Sequence, residues 1–134
     1  MMTENDVVDT VACWLEKRGC RIEKTCKDTA RGDDIAAVFE NGSRLFVECK
    51  GSVSKRNNEL DSWLNSAMAV FGAIKDTEEK RPNARHGIAV PDTEKYRNAL
   101  EPLNDFFLRQ KISVFFVHPD GHVREAGAPN KLLG

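Results

Sequence analysis

Five residues at the two ends of an apolar stretch have side chains or positions suited to metal-dependent chemistry. They are Asp33, Asp34, Glu48, Cys49 and Lys50, and we call them the acidic corner. Two apolar runs lie between the acidic pair and the Glu-Cys-Lys sequence, and Asn41-Gly42 between these runs is a strong turn signal. The runs are therefore predicted to pair as a β-hairpin, which brings the start of one strand beside the end of the other.

The acidic corner combines oxygen ligands with one cation. Side chains two residues apart on a strand share a face, so Glu48 and Lys50 are expected to project together. Hard divalent cations such as Mg²⁺ take oxygen ligands from one or two carboxylates, with water and phosphate completing the shell. The corner could therefore hold a metal ion against a phosphodiester.

The register of the hairpin decides which aspartate faces Glu48. A two-residue turn at Asn41-Gly42 would place Asp33 on the face of Glu48, whereas a three-residue loop or one bulge would place Asp34 there. We predict that Asp34 is the metal ligand, and hence that the hairpin is not a simple two-residue one. Asp33 is the alternative.

Size and composition indicate one globular domain. The chain has 134 residues, 40% of them hydrophobic and 31% charged, and we assign residues 1–125 to the domain and 126–134 to a loose tail. No apolar run approaches the roughly 18 residues that span a bilayer, and the first residues are acidic where a signal peptide would be basic. A cytoplasmic protein with no membrane partner is expected.

The formal net charge of −1 gives no global signal for nucleic acid. Binding to a polyanion would have to come from local clusters of basic residues, and two such clusters flank the acidic corner. The candidates for contact with nucleic acid are Lys27, Arg31, Lys55 and Arg56.

Periodicity predicts the order α-β-β-β-α-β-α-β for the elements. Helix signals begin at Thr3 and end at Gly19, and the other segments are Cys20–Lys27, Ile35–Phe39, Leu45–Cys49, Glu59–Ile74, His86–Val90, Thr93–Gln110 and Ile112–Val117. Pro102 is expected to break the third helix near Leu100. The segment His122–Glu125 follows a turn and is not counted in this order. The order implies an α/β fold, with a mixed central sheet and helices on both faces.

This order, with Gly32-Asp33-Asp34-Ile35 and Glu48-Cys49-Lys50-Gly51, resembles the PD-(D/E)xK nucleases of the restriction-endonuclease-like superfamily. Within it the chain is most similar to Mrr-like and Holliday-junction-resolvase-like domains. The resemblance covers residues 3 to 118 in element order.

The resemblance implies a Mg²⁺-dependent endonuclease that hydrolyses phosphodiester bonds of DNA, with Mn²⁺ as a substitute metal. Asp34, Glu48 and Lys50 would be catalytic, and Asp34, Glu48 and the backbone carbonyl of Cys49 would hold the metal. Glu16, on the polar face of the first helix, is a further candidate ligand.

The main alternative is a catalytically silent module that keeps the nuclease fold for nucleic-acid binding or protein assembly. The nearly neutral charge favours it, as does the absence of a glutamine from the helix that follows Lys50. The intact Asp34, Glu48 and Lys50 favour the enzyme. A homodimer that presents two sites to a duplex is compatible with this size.

Overall fold

The computed structural model describes residues 2–25, 34–51 and 84–126. Three α-helices, one 3₁₀-helix and six strands lie within these residues. In chain order they are α1 (Glu4–Lys17), β1 (Arg21–Thr25), β2 (Ile35–Val38), β3 (Arg44–Cys49), β4 (Arg85–Pro91), α2 (Glu94–Leu100), the 3₁₀-helix (Glu101–Leu103), α3 (Asn104–Gln110), β5 (Ile112–Val117) and β6 (Val123–Ala126). The helix predicted over Glu59–Ile74 lies outside the described residues.

The six strands form one mixed sheet in which spatial order follows chain order, β1-β2-β3-β4-β5-β6. Strands β1, β2 and β3 pair antiparallel, β3, β4 and β5 pair parallel, and β6 returns antiparallel to β5. Because β3, β4 and β5 are parallel, their carboxyl ends meet at one edge of the sheet. The described residues of the acidic corner, Asp34, Glu48, Cys49 and Lys50, lie at this edge.

Helix α1 is defined by its caps. Thr3 and Asp6 form a reciprocal capping box at the predicted start of the helix. At the other end, Gly19 adopts φ +90°, and the amides of Gly19 and Cys20 donate to the carbonyls of Glu16 and Leu15. This is a Schellman motif, for which glycine is the usual residue because it adopts positive φ without strain.

Helices cover both faces of the sheet, as predicted. On the first face, α1 packs through Val7, Val11 and Trp14 against side chains such as Phe115. On the second face, α2 and α3 contribute Tyr96, Leu100 and Phe107 to a separate cluster with alternate residues of β4 and β5. The central strands β4 and β5 are buried almost throughout, because helices lie above and below them.

The break in the third predicted helix is confirmed. Helix α2 ends at Leu100, Pro102 lies in the 3₁₀-helix, and α3 resumes at Asn104. Proline lacks the amide that the helix interior needs, so the chain restarts as a second helix.

Both tight hairpins use a three-residue loop that ends in a glycine with positive φ. In Glu40-Asn41-Gly42, Phe39 pairs with Ser43, and in Pro119-Asp120-Gly121, His118 pairs with His122. The side chain of Asn41 accepts the amide of Ser43 at 2.9 Å, and Asp120 accepts the amide of His122 at 2.9 Å. These local bonds favour a three-residue loop over a two-residue turn.

The structure corrects the prediction in two places, the number of strands and the first residue of β1. The second hairpin continues into a sixth strand, β6, which the predicted order omits; its register places Phe116 opposite Arg124. Strand β1 begins at Arg21 rather than Cys20, because Cys20 belongs to the cap of α1. Within residues 2–25, 34–51 and 84–126, no helix has the length and apolar character needed to cross a membrane.

Candidate active site

The hairpin register places the start of β2 beside the end of β3. Ile35 pairs with Val47 and Val38 with Arg44, so extending the register by one residue sets Asp34 opposite Glu48. Directly opposed residues on antiparallel strands project to the same face. The prediction that the hairpin is not a two-residue one, and that Asp34 faces Glu48, is confirmed.

Asp34 is buried and fixed by the backbone of β3. Its Oδ2 accepts a hydrogen bond from the amide of Cys49 at 2.8 Å, and the residue is 9% exposed. In an extended strand the amide and carbonyl of one residue point to the same side. The carbonyl of Cys49 is therefore directed to the side of Asp34, while its thiol is buried on the opposite face of the sheet.

Glu48 lies in an environment that disfavours its charge. Burial, and then the negative charge of Asp34, raise the pKa of Glu48 to about 8, and a hydrogen bond with Asp34 and the charge of Glu4 act in the same direction. The charge of Lys50 opposes the shift. Two opposed carboxyl groups this close do not readily ionise together, so the pair favours retaining a proton.

Lys50 shares the face of Glu48, as predicted. Its Nζ lies 3.9 Å from Glu48 Oε1, and the two side chains are 21% and 17% exposed. The Lys50 amide donates to the carbonyl of Ala89 on β4 at 2.9 Å. The ladder of the parallel sheet therefore fixes the backbone of Lys50, and its side chain reaches solvent at the edge.

Gly51 is held from both helical layers. A Cβ at this position would lie 2.5 Å from the Glu4 nitrogen and 2.6 Å from the Thr3 carbonyl carbon, so the first turn of α1 approaches as closely as only glycine permits. From α2, the Tyr96 hydroxyl donates to the Gly51 carbonyl at 3.0 Å. Both helices therefore determine where the chain lies directly after Lys50.

Two comparisons based on sequence gave no result: no family model matches the chain, and no curated protein matches it. The structure does have solved counterparts. An XisH family protein from Nostoc punctiforme aligns with a TM-score of 0.64 at 16% identity, over 90% of this chain and 98% of the other. A fdxN element excision controlling factor protein from Anabaena variabilis aligns with a TM-score of 0.65 at 16% identity, over 92% and 98%.

A repair endonuclease from Pyrococcus abyssi aligns with a TM-score of 0.51 at 14% identity, over 89% of this chain and 49% of that one. The chain has a restriction-endonuclease-like fold. At such identities the likeness describes the fold alone, so the chemistry has to be argued from the side chains of this chain.

In this restriction-endonuclease-like fold, Glu16 does not reach the acidic corner. Helix α1 begins against Gly51, whereas Gly19, just past its end, lies beside the side chain of Glu40 in the hairpin loop. Glu16 is in the last turn, about 18 Å along the helix from Glu4. The carboxylate that α1 contributes to the surroundings of Glu48 is that of Glu4.

Sequence reasoning missed Glu4 and Tyr96. Glu4 could have been found from the cap at Thr3, which marks the first turn of α1, but only with the knowledge that this turn meets Gly51. Tyr96 carries no local signal, because 45 residues separate it from its acceptor. Asp33, Lys27, Arg31, Lys55 and Arg56 lie outside the described residues.

The donor set of the acidic corner fits a hard cation. Asp34 and Glu48 supply carboxylate oxygens, and the carbonyl of Cys49 points to the same side. Across the described part of the chain, no group of three or more His, Cys, Asp or Glu side chains is arranged to hold a metal. Two carboxylates and a carbonyl leave coordination positions for water and phosphate, which is the pattern Mg²⁺ prefers.

Proposed function

We propose that this protein is a Mg²⁺-dependent endonuclease that hydrolyses phosphodiester bonds of DNA. The observation that carries the proposal is the opposed pair of carboxyl groups, Asp34 and Glu48, with Lys50 beside them at the open edge of the sheet. Burial and mutual repulsion disfavour full ionisation of the pair, and added positive charge would relieve that repulsion. A divalent cation would supply that charge.

Each residue of the corner has a distinct role in this proposal. Asp34, Glu48 and the Cys49 carbonyl would hold Mg²⁺ or Mn²⁺, which when bound would neutralise charge on the scissile phosphate. Lys50, whose ammonium group lies next to Glu48, would orient the attacking water or stabilise the charge that develops on the phosphate. The amide of Cys49 donates to Asp34 and orients its carboxylate.

From the sequence resemblance, we also propose that the chain is most similar to Mrr-like and Holliday-junction-resolvase-like domains. DNA rather than RNA is proposed because one structural counterpart is a repair endonuclease and another is named for the excision of an element. The basic residues Lys27, Arg31, Lys55 and Arg56 would contact the backbone phosphates.

A second candidate function is that of a non-cleaving accessory protein in nucleic-acid binding or protein assembly. One observation favours it: the XisH family protein and the excision controlling factor match over 98% of their length, against 49% for the endonuclease. In that case Asp34 and Glu48 would stabilise the hairpin edge by sharing a proton.

The deciding experiment incubates the purified protein with supercoiled plasmid, single-stranded and four-way-junction DNA in Mg²⁺ or Mn²⁺. Glu48→Gln and Lys50→Ala are compared with Glu16→Gln, a matched control on the exposed surface of α1. We expect wild type and Glu16→Gln to cut, with Glu48→Gln and Lys50→Ala at least about 100-fold slower. Linear product formed without a nicked intermediate would indicate a dimer with two sites.

Equal cutting by all four proteins would assign the activity to a contaminant and refute the proposal. No cutting of any substrate, by protein that still binds DNA, would favour the accessory function.

A further inference from the structure

A second group of charged side chains lies at the same edge of the sheet as the acidic corner. Asp92 follows β4, His118 follows β5, Arg97 lies on α2 and Arg124 on β6; we call these four residues the arginine cluster. The side chain of Asp92 is 6% exposed, whereas those of Arg97, His118 and Arg124 are 38%, 47% and 47% exposed. One buried acid therefore lies beneath three exposed groups.

The contacts of Asp92 orient these groups. Arg97 Nη1 lies 2.7 Å from Asp92 Oδ1, and His118 Nε2 lies 2.7 Å from Oδ2. Arg124 Nη2 lies 3.7 Å from Oδ1, and its guanidinium stacks on the ring of Phe116, 4.4 Å from the centroid. A guanidinium carries five N–H donors, so each arginine keeps donors beyond the nitrogen directed at Asp92.

The arginine cluster and the acidic corner share a face as well as an edge. Glu48 pairs with Ile88 on β4, and Ile88 belongs to the core cluster under α2, which also contains Phe116. Arg124 lies opposite Phe116.

The two groups are also close along this edge. By the strand register, the backbones of Lys50 and Asp92 lie about 8 Å apart. Tyr96, bonded to Gly51, lies on the same helix as Arg97. The two groups are thus neighbours on one face and one edge of the sheet.

Acidic neighbours limit the net charge of this surface. Glu101 Oε1 lies 3.5 Å from Arg124 Nη2, and Glu94 lies near enough to Arg97 for their opposite charges to attract each other. The cluster could therefore bind a ligand through its two oriented guanidinium groups, and not through a strong positive electrostatic potential. Such groups bind the phosphate of a phosphodiester through two parallel hydrogen bonds. The 3.5 Å contact to Glu101, which is more than half exposed, is long enough for a phosphate oxygen to replace it.

We propose that Arg97 and Arg124 bind backbone phosphates of a DNA strand that extends from the acidic corner across the carboxyl ends of β4 and β5. This deepens the proposed function, since it assigns part of the nucleic-acid surface of the same site. It adds contacts on described residues to those expected of Lys27, Arg31, Lys55 and Arg56.

The test measures binding of a fluorescein-labelled 20-base-pair DNA duplex by anisotropy in EDTA, where no hydrolysis takes place, between 50 and 300 mM NaCl. Arg97→Gln and Arg124→Gln are compared with Arg44→Gln. Arg44 is the matched control, because it is also exposed and paired with an acid, Glu23, and lies beside the hairpin loop at the opposite end of β3.

We expect each cluster variant to bind several-fold more weakly at 100 mM NaCl and to reduce the slope of log Kd against log salt by about 1. Arg44→Gln should leave both quantities unchanged. Arg97→Lys and Arg124→Lys, which keep the charge but lose the paired donors, should retain the slope and only part of the affinity. Thermal unfolding of each variant identifies any loss due to misfolding.

Equal effects of Arg44→Gln and the cluster variants, or no binding of duplex by wild type, would overturn the proposal. Its failure is distinguishable from that of the nuclease. Cutting that depends on Glu48 but not on Arg97 or Arg124 would refute only the binding surface. Binding that depends on both arginines, without any cutting, would refute only the enzyme.

Discussion

The acidic corner and the arginine cluster lie on one face and one edge of the same sheet, yet they shift the pKa of a buried carboxyl group in opposite directions. At the corner, burial and the charge of Asp34 raise the pKa of Glu48. At the cluster, burial acts to raise the pKa of Asp92, but the hydrogen bond from Arg97 and the charges of Arg124 and His118 outweigh it and lower the pKa below its ordinary value.

The two acids differ in the charged groups that the described residues place around them. Glu48 is influenced by the charges of Asp34 and Glu4 and lies 3.9 Å from the Lys50 ammonium group, whereas Asp92 contacts two arginines and a histidine. Within the described residues, the first arrangement gathers negative charge around Glu48, and the second surrounds Asp92 with basic groups. Under the proposed function, the carboxylates that would serve the reaction differ in these surroundings from the one that stabilises the fold.

The largest expected effect separates the two regions by metal affinity. Asp34→Asn keeps an acceptor for the Cys49 amide but removes the charge, so Mn²⁺ affinity should fall on the order of 100-fold. Asp92→Asn should leave the Mn²⁺ affinity unchanged, because the positively charged arginines beside Asp92 repel a metal ion. Isothermal titration calorimetry or the electron paramagnetic resonance of free Mn²⁺ measures both. Similar losses in the two variants would show that the corner is not the metal site.

The pH dependence of stability should sharpen the contrast. The folded protein keeps a proton on Glu48 up to about pH 8, whereas the unfolded chain loses it near 4.5. The free energy of unfolding should therefore fall as pH rises through this window. Glu48→Gln should remove that fall and be more stable than wild type above pH 8 by about 2 kcal/mol, a value reduced because the corner reaches solvent.

Urea unfolding in EDTA, between pH 4 and 9, measures this difference, with Glu16→Gln as the exposed control. Parallel stability curves for Glu48→Gln and wild type would mean that Glu48 ionises as an ordinary glutamate.

Asp92 should behave in the opposite sense. Its lowered pKa means that its contribution to stability is present above about pH 3.8, its ordinary value, and is lost as pH falls through the folded value. Asp92→Asn should lower the free energy of unfolding at pH 7 by about 1.5 kcal/mol, with the deficit shrinking toward pH 2. Asp105→Asn, at an exposed position of α3, is the control in urea unfolding. An unchanged free energy in Asp92→Asn would show that the cluster does not stabilise the fold.

Local sequence rules predicted most of the fold because the signals are local. The capping box at Thr3, the break at Pro102 and the apolar strands β4 and β5 each depend on residues within a few positions. The hairpin register was predicted by requiring Asp34 to face Glu48, and the loop confirms it through the Asn41 side chain and the positive φ of Gly42. The turn dipeptide alone would have favoured the wrong register.

What the sequence did not reveal depends on contacts between distant segments. Whether Glu4 or Glu16 approaches the corner is decided by which end of α1 packs on Gly51, and periodicity is the same at both ends. The arginine cluster joins residues of α2 and β6 with the residues that directly follow β4 and β5, and only the sheet order brings them together.

The smallest expected effect concerns Tyr96, which lies between the two regions. Tyr96→Phe keeps the ring in the core under α2 but removes the donor to Gly51, so the free energy of unfolding should fall by about 1 kcal/mol. If the bond also positions Lys50, the rate of DNA cutting at saturating substrate should fall several-fold, with duplex binding in EDTA unchanged. Thr93→Ala removes the side-chain cap of the same helix without touching Gly51, and should cost similar stability with no change in rate. Equal rates in both variants would show that the Tyr96 hydrogen bond stabilises the fold without positioning Lys50. The hydrogen bonds between β3 and β4 would then be what fixes Lys50.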